Sequence, residues 1–215
     1  MHVPRHFVED DFSTLVDFMS THPLATLVAQ TEKGSEACHI PLFWYDDDTE
    51  YGCLYGHFGR QNPIYKNALP NRSWLTIFQD SGHYISPSWY PSKADTHKEV
   101  PTWNYQSVHI HAHMQLIEAH DRIVWILIET TADHEKLLLL PWSLTDAPTE
   151  YIDALCNGII GFKLTIDSVE AQFKLSQNKS AENIRGVIKG LNQLHTLKAR
   201  VMADKLAHVH EDKRL

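Results

Sequence analysis

One segment of the chain alternates between polar and apolar residues for long enough to fix its backbone conformation. Residues 102–118, TWNYQSVHIHAHMQLIE, place His109, His111 and His113 at every second position. Because successive side chains of a β-strand point to opposite faces, this period of two predicts one long strand. The three histidines then share one face, with neighbouring Cα atoms about 6.5 to 7 Å apart. The sequence therefore favours a fold built around a β-sheet.

The histidine face of this strand has two interpretations. Adjacent imidazoles at this spacing could reach one metal ion, or a haem, if another side chain supplied a further ligand. The alternative is a strand whose histidines face solvent or form hydrogen bonds in an interface. The chain has 15 histidines and no H-E-x-x-H spacing, which favours the alternative. The sequence therefore assigns no metal ligand.

Short strand patterns alternate with helices in the first half of the chain. A helix is predicted over about residues 10–20, and three strands ending with CLYGHF are expected to form a meander. A short helix at NPIYKNA and a strand at RSWLTIFQ follow. The segment GHYISPSWYPSK is rich in proline, serine and aromatic residues and is expected to be an irregular loop that packs.

The second half of the chain completes the barrel pattern. Helices are predicted over about residues 121–139 and near TEYIDAL, and IIGFKLTI is predicted to be a strand. A helical tail should begin near Ala181 and break near Asn192. About six mostly antiparallel strands with Greek-key-like connections predict a mainly β fold, a small barrel with flanking helices. We expect a barrel domain over residues 1–180 and a helical C-terminal appendage over residues 181–215.

Composition and charge exclude several classes of protein. The N-terminus MHVPRHFVEDDF lacks the apolar core of a secretory signal, and the apolar runs are too short to span a bilayer. The three cysteines form no C-x-x-C pair, so we expect a cytoplasmic protein without disulfides. The net charge of −8 argues against a broad nucleic-acid surface. Residues 181–215 carry seven Lys and Arg against four Asp and Glu, a local balance of +3.

Two polar turns combine features of anion-binding sites. YGHFGRQNP holds two glycines, Arg60 for a bidentate grip on an oxyanion, and Asn62 before Pro63 at the start of a helix. FKLSQNKS repeats this arrangement, with Lys174 and Ser176 in front of a helix. Ordinary capping and turn chemistry explains either turn, taken alone, equally well.

Aromatic and amide side chains are concentrated between residues 84 and 105. A planar heteroaromatic ligand needs such apolar faces and a few fixed donors at its edge. The alternative is that these rings pack a core or a dimer interface. No G-x-S-x-G, P-loop or G-x-G-x-x-G motif is present, so hydrolase, NTPase and Rossmann readings lose their usual support. The residues are Tyr84, Trp89, Tyr90, Trp103, Asn104 and Tyr105.

Five ordered motifs together resemble one known family. They are HPLATLVAQTEKGSEACHIPLFW, GHFGRQNP, YISPSWYPSK, VPTWNYQSVHIHAH, and GFKLTIDSVEAQFKLSQNKS with RGVIKGL. Over about residues 3–191 the chain resembles the PaiB-type proteins, FMN-binding negative transcriptional regulators with a split β-barrel fold related to pyridoxamine phosphate oxidase. The resemblance implies FMN as the cofactor and a homodimer with FMN sites at the subunit interface.

The resemblance also implies which residues bind the cofactor. The strand CHIPL would lie against the isoalloxazine, GHFGRQNP would bind the phosphate and ribityl groups, and TWNYQSV and KLSQN would complete the pocket. Lys179 stands where many relatives would carry arginine, which keeps the charge but loses bidentate geometry. The implied residues are His39, Ile40, Pro41, Leu42, His57, Phe58, Arg60, Asn62, Trp103, Asn104, Tyr105, Lys174, Ser176 and Gln177.

Two functions are compatible with this resemblance. The first is a repressor that acts directly or through a partner. Direct DNA binding has little support, because residues 184–209 make a poor helix-turn-helix candidate and the chain is acidic. The alternative is a flavin-dependent oxidoreductase or flavin reductase, since flavin chemistry needs little from the protein beyond positioning the ring. No catalytic residue is identified for either function.

Overall fold

Residues 1–211 are described by the computed structural model, and they form two units. The sheet unit joins residues 11–78 with residues 108–169. The terminal unit joins residues 1–10, residues 79–107 and residues 170–211. Each unit therefore draws on stretches that are far apart in the sequence.

Helices and strands are interspersed along the whole chain. The strands are β1 (Leu24–Thr31), β2 (Gly34–Pro41), β3 (Phe43–Tyr45), β4 (Cys53–Gly59), β5 (Trp74–Gln79), β6 (His83–Ile85), β7 (Thr102–Ile117) and β8 (Ile159–Lys174). The helices are α1 (Phe12–Thr21), α2 (Ile64–Asn67), α3 (Ser92–Thr96), α4 (His120–Glu135), α5 (Thr149–Cys156), α6 (Ala181–Asn192) and α7 (Leu197–Val209). None of the helices in residues 1–211 combines the length and the apolar character needed to cross a bilayer.

The eight strands form an antiparallel sheet in the order β2-β1-β5-β7-β8-β4-β3, with β6 paired to the start of β7. β1 and β2 form a tight hairpin in which Thr31 pairs with Gly34, and Gly34 has a φ of 113° that favours glycine. β4 pairs with β8 along its whole length. The predicted antiparallel β fold with flanking helices is confirmed, as is the long histidine strand β7.

Closely packed aromatic rings contribute to the core of the sheet unit around β4. The Phe58 ring centroid lies 4.4 Å from that of Phe162 on β8 and 5.5 Å from that of Tyr65 on α2. Phe58 and Phe162 are completely buried. Burying a side chain of this size contributes about 2 to 3 kcal/mol, so these rings fix the position of the turn that follows β4.

A buried carboxylate organises the terminal unit. Asp80 Oδ1 accepts hydrogen bonds from the backbone N–H groups of Gly82 and Gln106, both at 3.0 Å. Its Oδ2 lies 2.8 Å from Lys205 Nζ on α7. One side chain therefore ties the β5–β6 turn, strand β7 and helix α7 together.

Helix α6 packs closely against Trp89 because two of its residues on that side are glycines. Gly186 and Gly190 lie one turn apart on this face. A Cβ at Gly190 would lie 2.3 Å from Trp89 Cγ, and one at Gly186 would lie 2.2 Å from the Trp89 carbonyl oxygen. Only glycine allows this close approach of helix backbone and indole ring.

Three local predictions were wrong in detail. The strand CLYGHF was expected to complete a meander with the two strands before it, but β4 pairs with β3 and β8 and not with β2. Residues 82–93 were expected to be irregular, but they contain β6, a 3-10 turn over Pro87–Trp89 and the start of α3. Ser86 caps the 3-10 turn by accepting a hydrogen bond from the Ser88 N–H at 3.2 Å. Helix α4 ends at Glu135 rather than near residue 139.

Candidate functional site

The residues expected to bind the cofactor fall in both units, and each group is held by its own local contacts. The sheet unit contains His39, Ile40, Pro41, Leu42, His57, Phe58, Arg60 and Asn62. The terminal unit contains Trp103, Asn104, Tyr105, Lys174, Ser176 and Gln177.

The end of β2 presents an open backbone edge. β2 stands at one end of the sheet order, so its outer N–H and C=O groups pair with no other strand of residues 1–211. His39 Nδ1 lies 3.0 Å from Thr26 Oγ1 on β1, while the following Leu42 is buried. A Cβ at Gly56 would lie 2.6 Å from Leu42 Cδ2, so β4 backs directly onto the strand end. An exposed backbone edge on a fixed support suits recognition of the polar rim of a flat ring.

His57 and Phe58 stand at the end of β4, just before the polar turn. His57 is half-buried and pairs with Gly161 in the sheet. Burial lowers the pKa of His57, so the imidazole is neutral at pH 7. Phe58 is completely buried, so it supports the turn from below and presents no surface to a ligand.

The Arg60 side chain is available for an anion. The Arg60 backbone N–H donates to the Gly158 carbonyl at 2.9 Å, which fixes the turn. Its guanidinium is 40% exposed, and its ion-pair partner, the exposed Glu118, lies 3.9 Å away. Exposed pairs of this length contribute about 0 to 1 kcal/mol, so an anionic ligand could displace Glu118 at little cost.

Cys38 and Asn62 bring the strand end and the turn together. Asn62 Oδ1 accepts from the Ile64 N–H at 3.1 Å, just before α2. Burial raises the pKa of the Cys38 thiol, and a hydrogen bond with the Asn62 side chain opposes that rise. The motifs CHIPL and GHFGRQNP are therefore neighbours in the sheet unit. Local residue patterning does not predict this link, because it depends on the fold.

The motifs TWNYQSV and KLSQN also meet, inside the terminal unit. Asn104 Nδ2 donates to Ser176 Oγ at 2.9 Å, and both side chains are buried. Lys174 Nζ donates to Thr102 Oγ1 at 2.7 Å. Ser176 has a φ of 61°, a left-handed conformation that this buried bond helps to hold.

Gln177 uses its amide to close its own turn. Its Oε1 accepts from the Leu175 N–H at 2.7 Å, and its Nε2 donates to the Phe173 carbonyl at 2.5 Å. The aromatic residues nearby are more open. Trp103 is 52% exposed and Tyr84 is 43% exposed, and their rings meet edge to face at 6.4 Å. These rings offer apolar surface on which a planar ligand can stack.

The histidine face of β7 lies in the sheet unit. His111 and His113 are exposed, and His113 Nδ1 lies 2.6 Å from Asp167 Oδ2. Within residues 1–211, no three His, Cys, Asp or Glu side chains lie close enough together to hold a metal ion. The structure therefore assembles no metal cluster on this strand from the described residues.

Comparisons with known proteins agree with this architecture. The family model described as "Putative FMN-binding domain" matches residues 1–168. The chain is 30% identical over 205 residues to "Protease synthase and sporulation protein PAI 2" of Bacillus subtilis, and the match covers 95% of each chain.

Solved structures of low sequence identity share the fold. The FAD and heme binding protein from Mycobacterium smegmatis is 15% identical with a TM-score of 0.53, and the match covers 78% of this chain and 73% of that one. The flavocytochrome Anf3 from Azotobacter vinelandii is 14% identical with a TM-score of 0.55, and the match covers 80% and 72%. At these identities the likeness concerns the fold alone.

Proposed function

The chain belongs to the family described as "Putative FMN-binding domain", and from this membership we propose that it is an FMN-dependent negative transcriptional regulator of the PaiB type that acts through a partner. FMN is its cofactor. The observation that carries the regulatory role is the similarity, along nearly the whole chain, to a Bacillus subtilis protein named for protease synthase and sporulation.

The residues in the sheet unit fit the polar end of FMN. The phosphate is a compact dianion, and the Arg60 guanidinium is exposed and only loosely paired. Asn62 fixes the turn that carries it. The neutral His57 imidazole can exchange a hydrogen bond with a ribityl hydroxyl. We propose that this turn holds the phosphate and the open edge of β2, from His39 to Leu42, binds the rim of the ring.

The residues in the terminal unit fit a supporting role as well as direct contact. Bound FMN supplies a redox-active tricyclic ring. Trp103 can cover such a ring because half of its surface is open. Tyr105 is half-buried beside it. We propose that Asn104, Ser176 and Gln177 hold the backbone around Trp103 and Tyr105 in place through the hydrogen bonds they already make. We also propose that the Lys174 ammonium group can contact an anion.

A homodimer with FMN sites at the subunit interface is part of the proposal. The proposal is supported by large apolar side chains that are exposed to solvent in the described part of the chain. Four consecutive leucines, 137 to 140, are each more than half exposed, and Leu139 is fully exposed. Large open apolar patches are uncommon on monomers and usually mark an interface.

Charge supports action through a partner rather than by direct contact with DNA. Exposed cations on α6 and α7 are Arg185, Lys189, Lys198 and Arg200. They stand on a chain whose net charge is −8, so the protein lacks the broad positive surface that non-specific DNA affinity needs.

Arg60→Ala should weaken FMN binding strongly. Losing a charge-assisted, bidentate phosphate contact is expected to raise the Kd about 30-fold, which corresponds to ~2 kcal/mol. Quenching of flavin fluorescence on titration of the apoprotein measures this. Arg72→Ala removes the same charge from an exposed position of the same unit and should leave the Kd unchanged. Riboflavin, which lacks the phosphate, should bind both variants equally. Unaltered FMN binding by Arg60→Ala would place the phosphate elsewhere.

Deleting the gene in the source organism should raise a defined set of transcripts. Reintroducing the wild-type gene should lower them again, whereas the Arg60→Ala gene should not, if FMN is needed for repression. RNA sequencing of the three strains measures this. An unchanged transcript profile after deletion would refute the regulatory role. A salt-sensitive shift of promoter DNA by the purified protein alone would show direct binding and remove the need for a partner.

A further inference from the structure

A cleft lies inside the terminal unit, and none of the residues assigned to FMN above lines it. It runs between residues 88–97 and the C-terminal half of helix α6, and its volume is about 590 Å³. Sites for small molecules commonly have volumes of about 300 to 1,000 Å³. The cleft is therefore large enough for a ligand bigger than a bare inorganic ion.

The floor of this cleft is preformed. Trp89 lies directly on Gly186 and Gly190, so the indole ring and the helix backbone cannot slide apart without losing close contact. An indole fixed in this way offers the edge of a flat apolar surface to a ligand, at little conformational entropy cost.

A hydrogen-bonded network holds the opposite wall in place. Glu99 accepts from Lys179 Nζ at 2.5 Å and from Ser92 Oγ at 2.8 Å. Asn183 on α6 donates to Ser92 Oγ at 2.9 Å and accepts from the Ser92 N–H at 3.2 Å. The segment that carries the wall is thus fastened to the start of α6. Lys179 and Glu99 neutralise each other, so they add no net charge beside the cleft.

The lining of the cleft is cationic. Lys93, His97 and Lys189 contribute to it, and among residues 1–211 no Asp or Glu lines it. Lys93 Nζ donates to a neutral group, Ser88 Oγ, at 3.2 Å, and forms no ion pair with an Asp or Glu of residues 1–211. The cleft surface therefore carries two lysines and a histidine and, within the described residues, no carboxylate. This arrangement favours anions locally, although the protein as a whole is acidic.

A buried hydroxyl without a hydrogen-bond partner adds a second, independent observation. Tyr90 lines the cleft and is 3% exposed, and its hydroxyl has no partner within residues 1–211. Burial raises the pKa of Tyr90 to about 12, helped by the charge of Glu99, so the hydroxyl remains a donor at neutral pH. A buried polar group left unpaired costs about 1 to 3 kcal/mol, and a ligand acceptor would recover that only through a movement that uncovers the Tyr90 hydroxyl.

We propose that this cleft binds a small, ring-bearing phosphate monoester as a ligand separate from FMN. Lysines act as compact point charges that suit a tetrahedral dianion, whereas planar carboxylates are usually gripped by arginine, which this lining lacks. The volume left beyond a phosphate accommodates a ring beside Trp89. This ligand would contact residues of the terminal unit only. The inference does not depend on the proposed regulatory function.

Titration of the FMN-saturated protein with phenyl phosphate tests the proposal. Isothermal calorimetry should show saturable binding, and phenol, which has the ring without the phosphate, should bind at least about tenfold more weakly. The double variant Lys93→Met with Lys189→Met should raise the Kd for phenyl phosphate at least about tenfold. Lys198→Met removes the same charge from an exposed position on α7, outside the cleft, and should change it by less than about twofold.

Each other outcome overturns the proposal. Absence of phenyl phosphate binding, or equal binding of phenol, would show that the cleft does not recognise phosphate. An equal loss in Lys198→Met would reduce the effect to overall charge. If phenyl phosphate bound only the FMN-free protein, the cleft would be part of the flavin site. Circular dichroism of the double variant provides the folding control.

Discussion

Replacing Asp80 with alanine is expected to lower the free energy of unfolding by about 3 to 4 kcal/mol. The change leaves the backbone N–H groups of Gly82 and Gln106 without their acceptor inside a buried turn. It also leaves Lys205 Nζ, which is about a quarter exposed, without its counter-charge. Three interactions are lost together, because one carboxylate makes all of them.

Urea denaturation of the wild type and the variant measures this difference. Asp204→Ala is the matched control, since it removes the same charge from an exposed position next to Lys205 on α7 and should cost less than about 0.5 kcal/mol. Asp80→Asn keeps one oxygen acceptor, so its loss in free energy of unfolding should lie between the losses of Asp80→Ala and Asp204→Ala. A loss below about 1 kcal/mol in Asp80→Ala would mean that water replaces the missing carboxylate.

Gly190→Ala is expected to cost about 2 to 3 kcal/mol, although alanine is the better helix former. The added methyl group would lie 2.3 to 2.5 Å from three atoms of the Trp89 ring. The ring would have to leave the helix face, or the helix would have to move. Packing therefore overrides the helix propensity at this position.

A control and a double variant identify the cause of that loss. Gly59→Ala adds a methyl group where nothing lies within 4 Å, so it should be nearly neutral. Combining Gly190→Ala with Trp89→Ala removes the collision, so the double variant should lose clearly less stability than the sum of the two single variants. Strict additivity would contradict a direct clash between the methyl group and the indole.

The elements that could be predicted from the sequence are those set by local patterning. The alternation of polar and apolar residues over 102–118 predicts β7, because in a strand with one buried face every second side chain must be apolar. The break between α6 and α7 was predicted near Asn192, and α6 ends at that residue. In α1, the side chain of Asp11 caps the first turn by accepting from the Thr14 N–H.

The remaining features could not be predicted, because they depend on contacts between distant residues. Asp80 and Lys205 are 125 positions apart, so nothing local marks Asp80 as the acceptor of an ion pair. The glycines of RGVIKGL look like ordinary helix weakeners until Trp89 is seen packed on them. Candidate site residues were proposed from motif likeness alone, and the internal hydrogen bonds of Gln177 and Asn104 needed coordinates.

The interrupted path of the chain through the terminal unit sets an order for its folding during synthesis. Everything in the sheet unit has been translated once residue 169 is made. The terminal unit also needs residues 1–10, residues 79–107 and α7, and α7 leaves the ribosome after the whole sheet unit has been made. Nascent chains should therefore keep the Asp80 turn and the cleft beside α6 incomplete until α7 has emerged from the ribosome, and in this interval they depend most on chaperones.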